Sequence, residues 1–483
     1  MRVLHVASEV APFAQSGGLA DVLAGLPEAQ AASHGIDAGV LVPLYRGVAG
    51  KLAAAGVALD PGTAIPLEVG VHRIDAAIRT ARIGRVRYGF LDCPALYDRS
   101  GGLYGPGGPG EFSDNHVRFA ALGKAALAAG DVLLGGTPEV LHVHDWQGGA
   151  AAIYARIAQL PSRIVTTIHN LAYRGIFPNW VLPELGIPWS LFTVDLVEFY
   201  DQISFLKAGL ALADAVTTVS PSYAQEILTP ERGEALDGFL RSKVRRLVGI
   251  ANGIDVVAWN PATDTALDEP YSADRLAGKA SCRAALTAEL GLVVPARDLV
   301  LGVIARMTDQ KGLDLVADVV PELARLGLRL IVLGSGEPEL ERRFTWLADT
   351  FREHVAVRIG FDGDLARRIY AGCDLFAMPS RFEPCGLGQL YAMRYGTIPV
   401  VHAVGGLRDT VADPGDAALV GGRGTGFRFE PATAAAFAQA LERAVTVLGD
   451  PAVLQTVRRS AMRRDSSWTA SARDYVELYR SLA

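Results

Sequence analysis

PSRFEPCGLGQLYAMRYGTIPVV, residues 379–401, is the stretch on which the fold turns. It follows one apolar run, LFAM, and ends in another, IPVV, with a loop and a helix-patterned segment between them. A strand, a loop, a helix and a second strand in so short a span is how a covered parallel sheet is built. The loop carries Arg381 and Glu383, then a glycine turn, and a helix is expected to begin near Gly386, Leu387 and Gly388. A helix start offers unpaired N–H groups and a partial positive charge, which favour phosphate. Glu383, just ahead of it, is placed to accept hydrogen bonds from sugar hydroxyls. The plainer reading of the same loop is a helix cap with an Arg381–Glu383 ion pair, and the stretch alone does not decide between them.

Working outward, the same alternation fills the chain. In the first half the β-rich runs are VLHVA, AGVLVPL, EVLHVHDW, RIVTTIHN and AVTTVS; in the second they are LVLGVIARM, LRLIVLGSG, VAVRIG, LFAMPS and IPVVHAVGG. Continuous apolar strands alternating with helices imply an α/β protein with parallel sheets covered on both faces. Such sheets bind ligands beyond the carboxyl ends of their strands, where His144, His169, Ser220, Arg306, Gly334 and Ser380 fall. GIANGIDVVAWNPATD (residues 249–264) reads as the junction of the two halves, RSGGLYGPGGPGEF (residues 99–112) as a loop, and DSSWTASARDYVELYRSLA as a final amphipathic helix.

The 483 residues are 50% hydrophobic and 20% charged, with a net charge of −6. That is enough apolar material for more than one core. The mildly acidic balance argues against wholesale nucleic-acid or anionic-membrane binding, which need a basic footprint. Four cysteines without CxxC spacing point to reduced thiols. No signal-peptide pattern or apolar span of about 18 residues is found, so a cytoplasmic setting is expected.

Four further motifs carry chemistry. In IARMTDQKGLDLV, Arg306 ends a strand and Lys311 enters a helix; two such cations hold a pyrophosphate well, Arg as a fork and Lys as a point charge. In HVHDWQGG, His142, His144 and Asp145 look like part of a metal site, but no second ligand cluster lies near in sequence, and no metal is expected. His169 closes RIVTTIH, where it is placed to donate to a sugar oxygen or to sit as a satisfied buried histidine. Asp362 and Asp364 of GFDGDLA have DxD spacing, yet they start a helix, so capping is the expected role.

Taken in order, SGGLADV, TIHNLAYRGIFP, FLKAGLALADAVTTVSPSYAQEI, NGIDVVAWNPATD, ARMTDQKGLDL and SRFEPCGLGQLYAMRYGTIPVV resemble the bacterial glycogen synthase and plant starch synthase family along nearly the whole chain. The resemblance implies a GT-B fold: a Rossmann-like domain at residues 1–250 on the acceptor side, a second at 251–464 on the donor side, and a terminal helix at 465–483 crossing back to the first, with a cleft between the domains. It implies retaining transfer of glucose from ADP-glucose to the non-reducing 4-hydroxyl of an α-1,4-glucan, without metal or other cofactor. Glu383, Arg306, Lys311, His169 and Asp145 would be the catalytic set. Gln15, Gly17, Gly18, Gly386, Leu387, Gly388, Tyr97 and Phe361 would bind the donor, with Gly17 and Gly18 N–H groups on phosphate and Tyr97 at the nucleobase. Asp21, Asn170 and Asn252 would position sugar or acceptor.

Three positions depart from the family pattern. Gln15 stands where KTGGL has lysine, Gly388 where EPCGLTQ has threonine, and Phe361 where tyrosine is frequent. One lost charge-assisted contact costs on the order of 1.5–3 kcal/mol, so the alternatives are UDP-glucose as donor, a small acceptor, or a weakly active glucan-binding homologue. Oligomeric state is not readable.

Overall fold

The computed structural model describes residues 1–107 and 110–482; Gly108 and Pro109, in the glycine-rich loop, lie outside the described residues. The chain divides into two compact units, Met1–Gly253 together with Trp468–Ala483, and Ile254–Ser467.

In the first unit the strands are β1 (Arg2–Val6), β2 (Asp37–Pro43), β3 (Thr63–Val69), β4 (His72–Ile83), β5 (Val86–Asp92), β6 (Val140–His144), β7 (Arg163–Ile168), β8 (Ile176–Pro178), β9 (Glu198–Phe199), β10 (Gln202–Ser204), β11 (Ala215–Thr218) and β12 (Leu247–Gly249). Nine form one sheet in the order β12-β11-β7-β6-β1-β2-β5-β4-β3, and β8, β10 and β9 form a small separate one. The main sheet is parallel from β12 to β5 and antiparallel through β4 and β3. The parallel strands β1, β2, β6, β7 and β11 were visible as apolar blocks, whereas β5 and β12 were not among them. Nor were β3 and β4, because β3 alternates buried with exposed residues and β4 is largely half-buried, the pattern of a sheet wet on one face.

The helix Leu19–His34 packs against the terminal helix Trp468–Arg480. The contact depends on Gly25: a Cβ there would lie 2.0 Å from Trp468 Nε1. The buried face of the terminal helix also carries Tyr475 and Tyr479.

The second unit is a single parallel sheet of β13 (Leu299–Ile304), β14 (Leu328–Gly334), β15 (Val355–Ile359), β16 (Leu375–Met378), β17 (Ile398–His402) and β18 (Phe427–Phe429). Its order, β15-β14-β13-β16-β17-β18, is the doubly wound 3-2-1-4-5-6 arrangement, whose binding crevice opens where β13 and β16 adjoin. Residues on both sides of the sheet are buried, including Leu301, Val303, Leu330, Val332, Leu375 and Val400 on one face and Val300, Ile331, Leu333 and Phe376 on the other.

Candidate active site

Each unit gathers polar side chains at the carboxyl ends of its central strands. In the second unit, β13 delivers Arg306 and, through a short 3-10 turn (Asp309–Lys311), Lys311; β16 delivers Ser380 and Glu383. Lys311 Nζ lies 2.6 Å from Glu383 Oε2, with both side chains largely buried, and Ser380 Oγ donates to the same oxygen at 3.1 Å. The Arg381–Glu383 pair of the plainer reading is not among the ion pairs of the described residues. Arg381 instead clasps Asp314 with two hydrogen bonds of 2.8 and 2.6 Å, so the loop's arginine braces it from outside while Glu383 turns inward. Arg306 is exposed and its guanidinium makes no ion pair among the described residues.

Two glycines make this approach possible. At Gly312 (φ +64) a Cβ would lie 2.2 Å from Pro379 O, and at Gly405 (φ +40) one would lie 2.1 Å from Glu383 O. Gly406 N–H donates to that carbonyl. The helix expected near Gly386 runs from Gly388 to Arg394, with Leu387 preceding it and Gly386 at φ +70. A side chain at Gly388 would sit 3.2–3.4 Å from Phe376, Met378 and Tyr370; these three fill the space that threonine would otherwise claim. Phe361 is 96% exposed just beyond β15, and Asp362 caps the next helix by accepting from Leu365 N, as its position suggested.

In the first unit the SGGL loop is not arranged as expected. Gly17 N–H already donates to the buried carboxylate of Glu9 at 3.1 Å, and Ser16 gives the same carboxylate its N–H (2.7 Å) and hydroxyl (2.6 Å). Tyr104 O–H adds a fourth bond at 2.5 Å. The protein's own carboxylate therefore occupies the nest expected for phosphate, and the Gly17 N–H is already taken. Gly18 is exposed at the start of the following helix. Gln15 donates to Asp21 at 3.1 Å; burial, with Glu9 adding to it, raises the Asp21 carboxyl to about 6. Tyr97 is a second correction: it is 1% exposed and its hydroxyl donates to Arg118 O, so it is a packed ring and lines no nucleobase site.

Asp145 opens the helix after β6 in a left-handed conformation (φ +50), rare outside glycine and asparagine. Its Oδ1 accepts from His169 N at 2.7 Å and from Asn170 N at 3.4 Å, which brings the ends of β6 and β7 together. Asn170 closes a turn onto Ala172 N. Asn252 Oδ1 is buried with no partner among the described residues. Burial raises the Asp145 carboxyl to about 7. Unfolded, it loses its proton near 3.8, so stability falls as pH climbs from about 4 to about 7. Asparagine keeps the acceptor oxygen and tolerates positive φ. Asp145→Asn is therefore expected to melt higher than the parent at pH 8 and no higher at pH 4, a comparison two thermal melts decide.

His142 and His144 share a face, as their spacing requires, and β1 sets His5 beside them. The three could bring ligand nitrogens within 4.8 Å of one another. Every one of those nitrogens already has a protein partner: Gln30 and His144 for His5, Tyr479 and Thr167 for His142, His5 and His169 for His144. Burial holds His5 at about 4 and His169 at about 3, and keeps His142 and His144 well below the usual range, so all four are neutral at pH 7. The group is a hydrogen-bonded network. His5, Gln30, Tyr479, Glu9 and Tyr104 had not been singled out in the sequence; the one available signal was a histidine interrupting each of two apolar strands.

Similarity to known proteins agrees with this geometry. A glycogen synthase of Anaeromyxobacter dehalogenans (strain 2CP-1) is 46% identical over 492 residues, covering 100% of this chain and 99% of its own. The chain belongs to the glycogen synthase and starch synthase family. Within that family, a glycogen synthase of Roseobacter denitrificans is 42% identical over 489 residues, covering 100% of this chain and 99% of its own. The family model for the starch synthase catalytic domain matches residues 2–242, and that for glycosyl transferases group 1 matches residues 298–446. Among solved structures, the catalytic domain of starch synthase IV from Arabidopsis thaliana, bound to ADP and acarbose, matches with a TM-score of 0.88 at 33% identity, covering 100% of this chain and 99% of that one. This glycogen synthase family member is a glycosyltransferase of the GT-B fold, and no helix among its described residues is long and apolar enough to cross a membrane.

Proposed function

We propose that the protein elongates α-1,4-glucan by retaining transfer of glucose from ADP-glucose to a non-reducing 4-hydroxyl. The observation that carries this reading is the buried Lys311–Glu383 pair at the switch point of the second sheet, with Arg306 at the end of β13 and in no ion pair among the described residues. A diphosphate leaving group gains negative charge as the glycosidic bond breaks. Lys311 and Arg306 supply fixed positive charge for it in place of a metal, and Glu383 holds sugar hydroxyls and steadies the anomeric carbon. Asp145, anchored to the main chain of His169, offers a carboxyl to sugar hydroxyls at the carboxyl end of β6. ADP in the Arabidopsis starch synthase IV structure supports an adenine donor for this chain.

Incubation with ADP-glucose and glycogen is expected to release ADP, undiminished by a chelator. No release, where a family control is active, overturns the reading, and faster turnover with UDP-glucose reassigns the donor. Gln15→Lys would place a cation beside Asp21 and restore the family's charge; a several-fold rise in ADP release is expected, and no change means the contact is dispensable.

A further inference from the structure

The histidine network is one unbranched chain of eight groups. In order they are His169, His144, His5, Gln30, Tyr479, His142, Thr167 and Thr217, joined by contacts of 3.0, 3.1, 2.9, 3.1, 2.7, 2.6 and 2.6 Å. Apart from His169, at the carboxyl end of β7, each member is buried. A neutral imidazole donates from one nitrogen and accepts at the other, so each ring passes a direction to the next. A hydroxyl accepting twice would leave its own buried proton unmet, and without that the chain runs in one of two directions. With the Gln30 amide oxygen towards His5, it runs from His169 to Thr217. The Thr217 hydroxyl proton, at a fully buried position, then has no acceptor among the described residues, and His169 is left with a bare Nδ1. Turning that amide end for end keeps every heavy-atom contact, since its oxygen and nitrogen are nearly the same shape. Thr217 then donates to Thr167 and every following proton moves to the other nitrogen. An unsatisfied buried donor is costly, whereas an N–H on His169, which has no other side-chain partner at Nδ1 among the described residues, can be met by water or substrate.

We propose that this chain, directed from Thr217 through Tyr479 and Gln30, holds His169 with its proton on Nδ1, so that it presents a hydrogen-bond donor to the sugar. Gln30 and Tyr479 are positioning residues for that donor. The burial that keeps all four rings neutral is what makes the direction a single choice.

Nitrogen NMR on protein labelled with 15N-histidine tests it directly. His5, His142, His144 and His169 are all expected as Nδ1–H tautomers; all four as Nε2–H, or a mixture, overturns the proposal. This readout needs no substrate and stands apart from the proposed reaction. The kinetic arm rests on that reaction. Tyr479→Phe cuts the chain far from His169, so a second tautomer is expected at His169, with kcat lower by about ten-fold, the scale of one hydrogen bond, and KM little changed. A single unchanged tautomer with intact kcat removes Tyr479 and the chain from this role. Should Tyr479→Phe fail to fold, the spectrum of the unaltered protein decides alone.

Discussion

Glu383→Gln is expected to lower kcat about 10²–10³-fold, the cost of losing one preorganised charge at a reacting centre. Glutamine keeps the outline of the side chain and still offers an oxygen to Lys311 and Ser380. What it removes is the negative charge that answers Lys311 and that, in the proposed reaction, faces the anomeric carbon. Because the pair is largely buried, the orphaned lysine also costs stability, about 3 kcal/mol. Pairing the change with Lys311→Met separates the two effects. The double variant should recover most of the melting temperature while remaining inactive, since both charges used in the reaction are then gone. ADP release at saturating donor, read beside thermal melts, checks this. A Glu383→Gln enzyme within a few-fold of the parent would take the carboxylate out of the chemistry.

Gly405→Ala is expected to strike the same carboxylate from behind. The backbone there has φ +40, and the new methyl would lie 2.1 Å from Glu383 O. Strain of this kind costs roughly 1–3 kcal/mol, and the only relief is to move the main chain that carries Glu383. Activity should fall by about ten-fold or more, the scale of catalytic loss from a 1 Å misplacement. Gly415→Ala is the control: φ is +94, but a Cβ there meets open space. It should lose about 1 kcal/mol or slightly more with kcat unchanged. Equal activity loss in both would mean that the approach of Gly405 to Glu383 has no part in catalysis.

Much of this site was legible before the fold was known, because its parts are chemically distinctive and sit just after strands. Arg306, Lys311, Glu383, Asp145 and His169 all follow apolar runs, and the runs marked the sheets. Partnership was not legible. Arg381 and Glu383 are two residues apart and read as a pair, yet a strand crossover brings Lys311, 72 positions away, to Glu383 instead. Resemblance alone assigns the SGGL glycines to phosphate, and nothing in the local pattern marks Glu9 as the anion that fills the nest. Resemblance alone places Tyr97 at the nucleobase, whereas the fold buries its ring and turns its hydroxyl to Arg118 O in the following helix. Side-chain identity is local; burial and pairing are decided by strand order, which the local pattern does not contain.

The terminal helix has a consequence for how the protein is made. The first unit begins at Met1 but lacks Trp468–Arg480 until the second unit, Ile254–Ser467, has been synthesised. Until then the notch at Gly25 is unfilled, and Gln30 and His142 lack Tyr479. During translation the portion that emerges earliest is thus the one finished latest.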